Sequence, residues 1–342
     1  MKPDQAESPA LMNTVSVRAP ARLHLGFLDL NASQGRKFGS IGLAIDSHYT
    51  EISISKAKEN RIHGAQLSEE TQARLEKIRQ RFYQALGQNI PPDQQQTLIE
   101  VKQQIPEHAG LGSGTQLALT LGTALASFHH LSIDTPTLAQ KLGRGKRSGI
   151  GVATFDQGGF IVDGGLKPDQ TVPPLLMHQS YPDDWRIVLI MDPAHQGIHG
   201  KNESTAFKTL PIFPLENSRT ICHLTLMQML PALIERDIDE FGQAITDIQT
   251  LVGDHFAAAQ GGRYTSQIVA RCLEQAQDLG HKGIAQSSWG PTGCVFVESD
   301  AHAQQLINAL HNTTLAQPSN SRQPMFITAR CDNHGAIVET LR

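Results

Sequence analysis

The chain is predicted to fold as an α+β protein. Three observations predict it. Residues 15–27 and 41–55 alternate apolar and polar side chains as half-buried strands do. An alternating segment at 97–105 runs through a glycine-rich turn into an apolar, alanine-rich stretch at 116–129. Mixed strand and helix patterns then continue through the second half, as α+β architectures require.

Taken in order, the two opening strands are followed by a charged amphipathic helix at 68–86, which Ser68 and the neighbouring Glu69 and Glu70 start. The strand at 97–105, the turn at 106–115 and the helix at 116–129 come next, then a short helix at 135–142, a turn at 147–151 and a strand at 158–163. A proline-rich stretch at 167–174 links two halves, 1–175 and 176–342. The second half opens with the apolar strand 186–191 and continues with helices at 217–235, 237–251 and 265–279. A glycine-rich strand at 286–297, a helix at 300–312 and strands at 325–331 and 335–340 complete it.

A chain of 342 residues, 39% of them hydrophobic, is long enough for two compact halves around a sizeable core. No uninterrupted apolar span of membrane length is present, and residues 1–13 lack the pattern of a signal peptide, so a cytoplasmic location is expected. Cys222, Cys272, Cys294 and Cys331 lie far apart without Cys-x-x-Cys spacing, which excludes a zinc ribbon and predicts buried thiols. The 15 histidines include no metal-binding helical pair, and a net charge of −4 argues against general nucleic-acid binding. Any phosphate recognition is therefore local.

The turn at 106–115 is the place for it. Gly110, Gly112 and Gly114 let main-chain N–H groups approach a ligand, and the helix that follows presents unpaired N–H groups and a partial positive charge at its start. This is not a Walker A loop: the nearest approach, Gly145, Lys146, Arg147, Ser148, has an arginine where the hydroxyl should stand.

The run from Pro106 through Gly110, Leu111, Gly112, Ser113 and Gly114 resembles the second motif of the GHMP kinases, Pro-x-x-x-Gly-Leu-Gly-Ser-Ser-Ala. Residues 19–27, starting Ala19, Pro20, Ala21, Arg22, are similar to the opening motif of that superfamily, and 286–297 to its third. One departure stands out: where mevalonate-type members carry Ser-Gly-x-Asp with a catalytic aspartate, this chain has Ser148, Gly149, Ile150, Gly151. Glycine accepts no proton, and a positioned base typically contributes about a hundredfold to ten-thousandfold.

Arg22 to Asp29, Gly35 to Gly42, Gly110 to Gln116, Arg147 to Gly151, Phe155 to Phe160 and Gly197 to Glu203 together resemble a non-kinase branch, the β-ribofuranosylaminobenzene 5′-phosphate synthases of methanopterin biosynthesis. The resemblance implies a GHMP kinase-like fold, with a ribosomal-protein-S5-like first half, a ferredoxin-like second half and a cleft between them. It also implies a homodimer, and 5-phosphoribosyl 1-diphosphate with 4-aminobenzoate or 4-hydroxybenzoate as substrates, releasing carbon dioxide and diphosphate. The alternative is an ATP-dependent small-molecule kinase lacking the usual aspartate.

Such chemistry needs a phosphate cradle, cations for the departing diphosphate and an aligned aromatic ring. Gly110, Leu111, Gly112, Ser113, Gly114 and Thr115 are the expected cradle, with Ser113 either donating to an oxygen or capping the helix. Arg22 and Arg36 are the expected phosphate-binding guanidiniums, Arg22 alternatively forming a structural ion pair. Asp29 is expected to hold magnesium, orient sugar hydroxyls or cap a turn, with Asp156 the other magnesium candidate. Lys146 and Arg147 would meet diphosphate or the benzoate carboxylate, or stay solvated. Glu203, flanked by His195 and His199, occupies a loop after a buried strand where acid–base groups are often found. Magnesium is the expected cofactor, as the usual companion of diphosphate.

Overall fold

A computed structural model describes residues 14–65, 67–197, 205, 209–315 and 323–341. The first half contains β1 (Thr14–Asp29), β2 (Phe38–Lys56), β3 (Arg61–His63), α1 (Glu69–Leu86), β4 (Thr97–Gln103), α2 (Ser113–Phe128), α3 (Thr135–Lys141), α4 (Ile150–Gln157), β5 (Phe160–Asp163) and β6 (Leu175–Gln179). The second contains β7 (Arg186–Met191), α5 (Leu215–Leu224), α6 (Leu230–Glu235), α7 (Ile238–Gln260), α8 (Gln267–Asp278), β8 (Gly283–Gln286), β9 (Thr292–Val297), α9 (Asp300–Leu315), β10 (Met325–Ala329) and β11 (Ile337–Leu341).

A seven-stranded sheet runs β11-β1-β2-β4-β3, with β5 paired to β2 and β6 to β5; a four-stranded antiparallel sheet runs β10-β7-β9-β8. The first sheet thus takes strands from both sides of residue 175, because β11 returns to pair with β1. The long β1–β2 hairpin serves two cores. Val15, Val17 and Ala19 pack with α1 and α2, whereas Ala21, Leu23 and Leu25, beyond a register shift at Pro20 and Ala21, pack towards the second sheet and α7. In β7, Ile187, Leu189 and Met191 join that shared core, and Val188 and Ile190 face α8 and α9, as the two-residue period of a strand dictates.

The predicted order of elements is present, with differences that have local causes. A helix, α4, starts at Ile150 inside the predicted turn, its entry held by the Asp163 carboxylate accepting from Gly149 N at 2.8 Å. Helix 217–235 is interrupted by a π-helical turn at Thr225–Met229, next to Pro231, which has no N–H to continue the regular ladder. The helix predicted to stop at 251 runs through Gly253 to Gln260, where Gly261 at φ +82° ends it. Cys272 and Cys294 are buried as predicted, but Cys222 is exposed and Cys331 half-buried. Among the described residues no helix is long and apolar enough to cross a membrane.

Candidate active site

The glycine-rich turn is built against the opening and closing motifs. Gly110, at φ +82°, lies so close to the third motif that a Cβ would meet Ser287 O at 2.3 Å, and a Cβ on Gly290 would meet Gly110 Cα at 2.3 Å. Side chains pin the same stretch: Ser287 Oγ donates to Gly110 O at 2.7 Å, Thr292 Oγ1 to Ala109 O at 2.7 Å, and the Arg22 guanidinium to Gly110 O. Gly112, at φ +83°, is the residue before α2, and no side chain caps the helix there. Ser113 is therefore the first helical residue and not a cap. The uncapped start of a 16-residue helix opens into a cavity, the arrangement that favours a bound anion.

That cavity measures about 1020 Å³ and lies between β1, α1, the start of α2, the 143–148 loop and the 288–290 turn. Among the described residues its wall carries seven Lys and Arg side chains and a single carboxylate, Glu70, so a chain of net charge −4 concentrates positive charge here. On α1, Glu70, Arg74 and Lys77 share one face at helical spacing. Arg74 Nη1 donates to Glu107 at 3.0 Å. Arg144 is held down to about 10 by burial first and then by Arg74 and Arg81, and its buried Nε has no partner. Cations in such excess over carboxylates make a site for a polyanion.

Part of the cavity wall is aromatic. Gly26, at φ +142°, marks a second register shift in β1, and the extra residue brings Phe27 to the same side as His24. Their rings lie 4.7 Å apart, Phe27 and Phe38 5.7 Å apart, and Trp289 stacks edge-on against Phe256 at 4.7 Å. His24, Phe27, Phe38 and Trp289 all line the space. One compartment thus carries both cations and flat apolar rings, Lys37 Nζ lying 5.6 Å from the Phe38 ring centroid, and is suited to a phosphorylated sugar beside an aromatic ring.

Of the residues singled out from the sequence, Arg22, Gly110, Gly112, Ser113, Gly114, Thr115, Lys146 and Arg147 line the cavity. Leu111 does not: it is 1% exposed and belongs to the core. Asp29 also lies outside the lining. Its Oδ1 accepts from Asn31 N at 2.8 Å, Ala32 N at 3.1 Å and Ser218 Oγ at 2.8 Å, which makes it the cap of its turn and a tie to α5. Arg36 is outside too, donating to Gly165 O at 3.1 Å, Gly164 O at 3.4 Å and Gln170 Oε1 at 3.2 Å. Asp156 accepts from Thr135 Oγ1 at 2.5 Å on the surface, and half-buried His195 is not part of the wall. Glu203 and His199 lie outside the described residues.

Sequence reasoning missed Arg74, Lys77, Arg144 and the aromatic wall. The spacing of 70, 74 and 77 and the glycines on either side of Arg144 were the available signals. It also missed Asp163. Buried beneath the 147–149 turn, this carboxylate accepts from Gly149 N at 2.8 Å and Gly165 N at 2.9 Å, and burial pushes it up to about 6 against those bonds. Gly151 lines the cavity with no room to spare, a Cβ there meeting Thr115 Cγ2 at 3.1 Å. The donor set does not fit a magnesium ion held by the protein. Among the described residues no three His, Cys, Asp or Glu groups converge, and Glu70 is the one carboxylate of the wall.

Two sheets, a glycine-rich turn opening a helix and a cleft between them define a protein of the GHMP kinase fold. Residues 60–159 match the GHMP kinases N terminal domain, and residues 229–316 match the GHMP kinases C terminal family. A homoserine kinase from Cytophaga hutchinsonii superposes with a TM-score of 0.72 at 17% identity, covering 98% of this chain and 100% of that one. A mevalonate pyrophosphate decarboxylase from Streptococcus pyogenes gives 0.66 at 17%, covering 94% and 98%. Sequence likeness is closer to another group. The β-ribofuranosylphenol 5′-phosphate synthase of Archaeoglobus fulgidus is 36% identical over 336 residues, 94% of this chain and 99% of the relative. That of Methanocaldococcus jannaschii is 31% identical over 304 residues, 82% and 88%. The chain belongs to this synthase family, an enzyme branch of the GHMP kinase superfamily.

Proposed function

We propose that the enzyme joins 5-phosphoribosyl 1-diphosphate to a 4-substituted benzoate, 4-aminobenzoate or 4-hydroxybenzoate, with loss of carbon dioxide and diphosphate, in tetrahydromethanopterin biosynthesis. The observation that carries this reading is one cavity whose wall holds both seven Lys and Arg side chains about the start of α2 and β1 and the aromatic side chains Phe27, Phe38 and Trp289. The product for which the relatives are named, a ribofuranosylphenol 5′-phosphate, combines the same two parts.

The steps ask little of acid–base groups. The ribose C1–O bond breaks, and its electron pair leaves with diphosphate. The ring carbon bearing the carboxylate, made electron-rich by the 4-substituent, forms the new bond to C1. The carbon–carboxylate bond then breaks, carbon dioxide departs and its electron pair restores the aromatic ring. No side chain has to remove a ring proton, consistent with glycine at 151. In this reading the main-chain N–H groups at the start of α2 bind phosphate oxygens, and Arg74, Arg144 and Arg147 stabilise the charge that develops on diphosphate. Arg36 acts as a positioning residue: it fastens Gly164 and Gly165, Gly165 bonds Asp163, and Asp163 holds the turn carrying Arg147. Magnesium would enter as its complex with diphosphate, not on protein ligands, and would offset leaving-group charge.

The test uses carboxyl-labelled acceptor, 5-phosphoribosyl 1-diphosphate and magnesium. Labelled carbon dioxide and diphosphate should appear together. Turnover of ATP with neither product would return the chain to the kinases.

A further inference from the structure

We infer that Nε2 of His24 is the hydrogen-bond acceptor that recognises the 4-substituent of the aromatic acceptor, selecting an amino or hydroxyl group that can donate. The inference rests on the proposed reaction and names a contact that reading leaves open. His24 is 5% exposed, yet its ring lines both the main cavity and a small adjoining hollow of about 30 Å³. Its Nε2 is buried with no hydrogen-bond partner, at odds with the pairing that buried polar atoms almost always achieve.

The residue is fixed from several sides. Its N–H donates to Ser287 Oγ at 3.0 Å, its carbonyl accepts from Ser288 N at 3.0 Å, and its ring rests on Phe27. Buried and packed on Phe27, the ring leaves Nε2 out of contact with bulk water.

The missing partner is a donor. Burial first, then Arg22, hold the imidazole down to about 3, so it is neutral at any ordinary pH. The ring's hydrogen bond is to its own main chain, which places the ring proton on the Nδ1 side and leaves Nε2 as a lone-pair acceptor. A carboxylate has no proton to give this acceptor. An amino or hydroxyl proton fits, and the ring position opposite the reacting carbon belongs beside His24 and Phe27. So weak a base does not remove the proton; it accepts a hydrogen bond and thereby favours electron release into the ring.

The test is calorimetric titration of the full-length protein with 4-aminobenzoate and with 4-methylbenzoate, which has the same shape but no donor. Wild type should prefer the amine by at least about tenfold, since its partner otherwise stays unpaired. His24→Phe should bind both compounds at the wild-type 4-methylbenzoate affinity, which also shows that the cavity has kept its form. His24→Gln, whose Oε1 can take the place of Nε2, should recover part of the preference. Equal wild-type binding of the two, or a preference that survives in His24→Phe, would overturn the assignment. Wild type binding neither compound would instead overturn the proposed aromatic site itself.

Discussion

Replacing Arg144 with methionine is expected to make the ligand-free protein more stable while removing its stabilisation by diphosphate. The guanidinium is held down to about 10 from 12.5 by burial, Arg74 and Arg81, and its buried Nε has no partner. A base with a lowered folded-state pKa is charged at pH 7 in both states, so the cost of that charge is fully present there. A difference of about 2.5 in pKa, at about 1.4 kcal/mol each, sets a ceiling of about 3 kcal/mol on the relief. Methionine keeps most of the unbranched stem. With some packing lost, a net gain of about 1–2 kcal/mol is expected. Wild type, at a diphosphate concentration about a hundred times its Kd, should gain about 2.7 kcal/mol in return. Urea denaturation at pH 7, with and without inorganic diphosphate, reads both effects. A variant less stable than wild type without ligand, and still protected by diphosphate at wild-type concentrations, would refute the view that these arginines await a polyanion.

Three further outcomes follow from the geometry. Gly112→Ala, at φ +83° with its Cβ 2.9 Å from Arg22 Cγ, should lower kcat/KM for 5-phosphoribosyl 1-diphosphate about tenfold or more and cost about 1–2 kcal/mol of stability in urea. Asp163 has its folded pKa raised from 3.8 to about 6, so its contribution is most favourable below pH 3.8 and is lost as pH rises through 6, an effect of about 2 kcal/mol between pH 4 and 7. Denaturation midpoints across that range should show a component that Asp163→Asn removes. Arg36→Ala should speed hydrogen exchange at 164–170 and raise the KM for the phosphoribosyl substrate, while calorimetric binding of 4-aminobenzoate stays within about twofold of wild type.

Much of the fold was legible because periodicity is local. The strand, glycine turn and helix at 97–129 need no information beyond their own residues, and the structure places them within three residues of that reading. Pro231 marks a break in the 217–235 helix without specifying a π-turn, and the continuation of α7 through Gly253 runs against glycine's low helix propensity. The cradle was legible for the same local reason. Asp29 and Arg36 show the limit: both have the chemistry of a site, but where β1 ends and how loop 164–170 returns decide which atoms they meet. His24 reads as a strand residue until the register shift at Gly26 and the turn at 288–290 enclose its ring. Asp163 owes its raised pKa to burial, a consequence of tertiary structure that no spacing encodes.

The central claim is that one cavity brings a phosphoribosyl group and a benzoate ring together for carbon–carbon bond formation. Isolating the product of a reaction with 4-aminobenzoate or 4-hydroxybenzoate and determining its mass and bonding by NMR tests it most directly. The predicted product is a ribofuranosyl ring carbon-linked where the carboxylate stood, retaining its 5′-phosphate, with one carbon dioxide and one diphosphate released for each molecule formed. A nitrogen- or oxygen-linked riboside that keeps the carboxylate, or an acceptor phosphorylated from ATP, would contradict it.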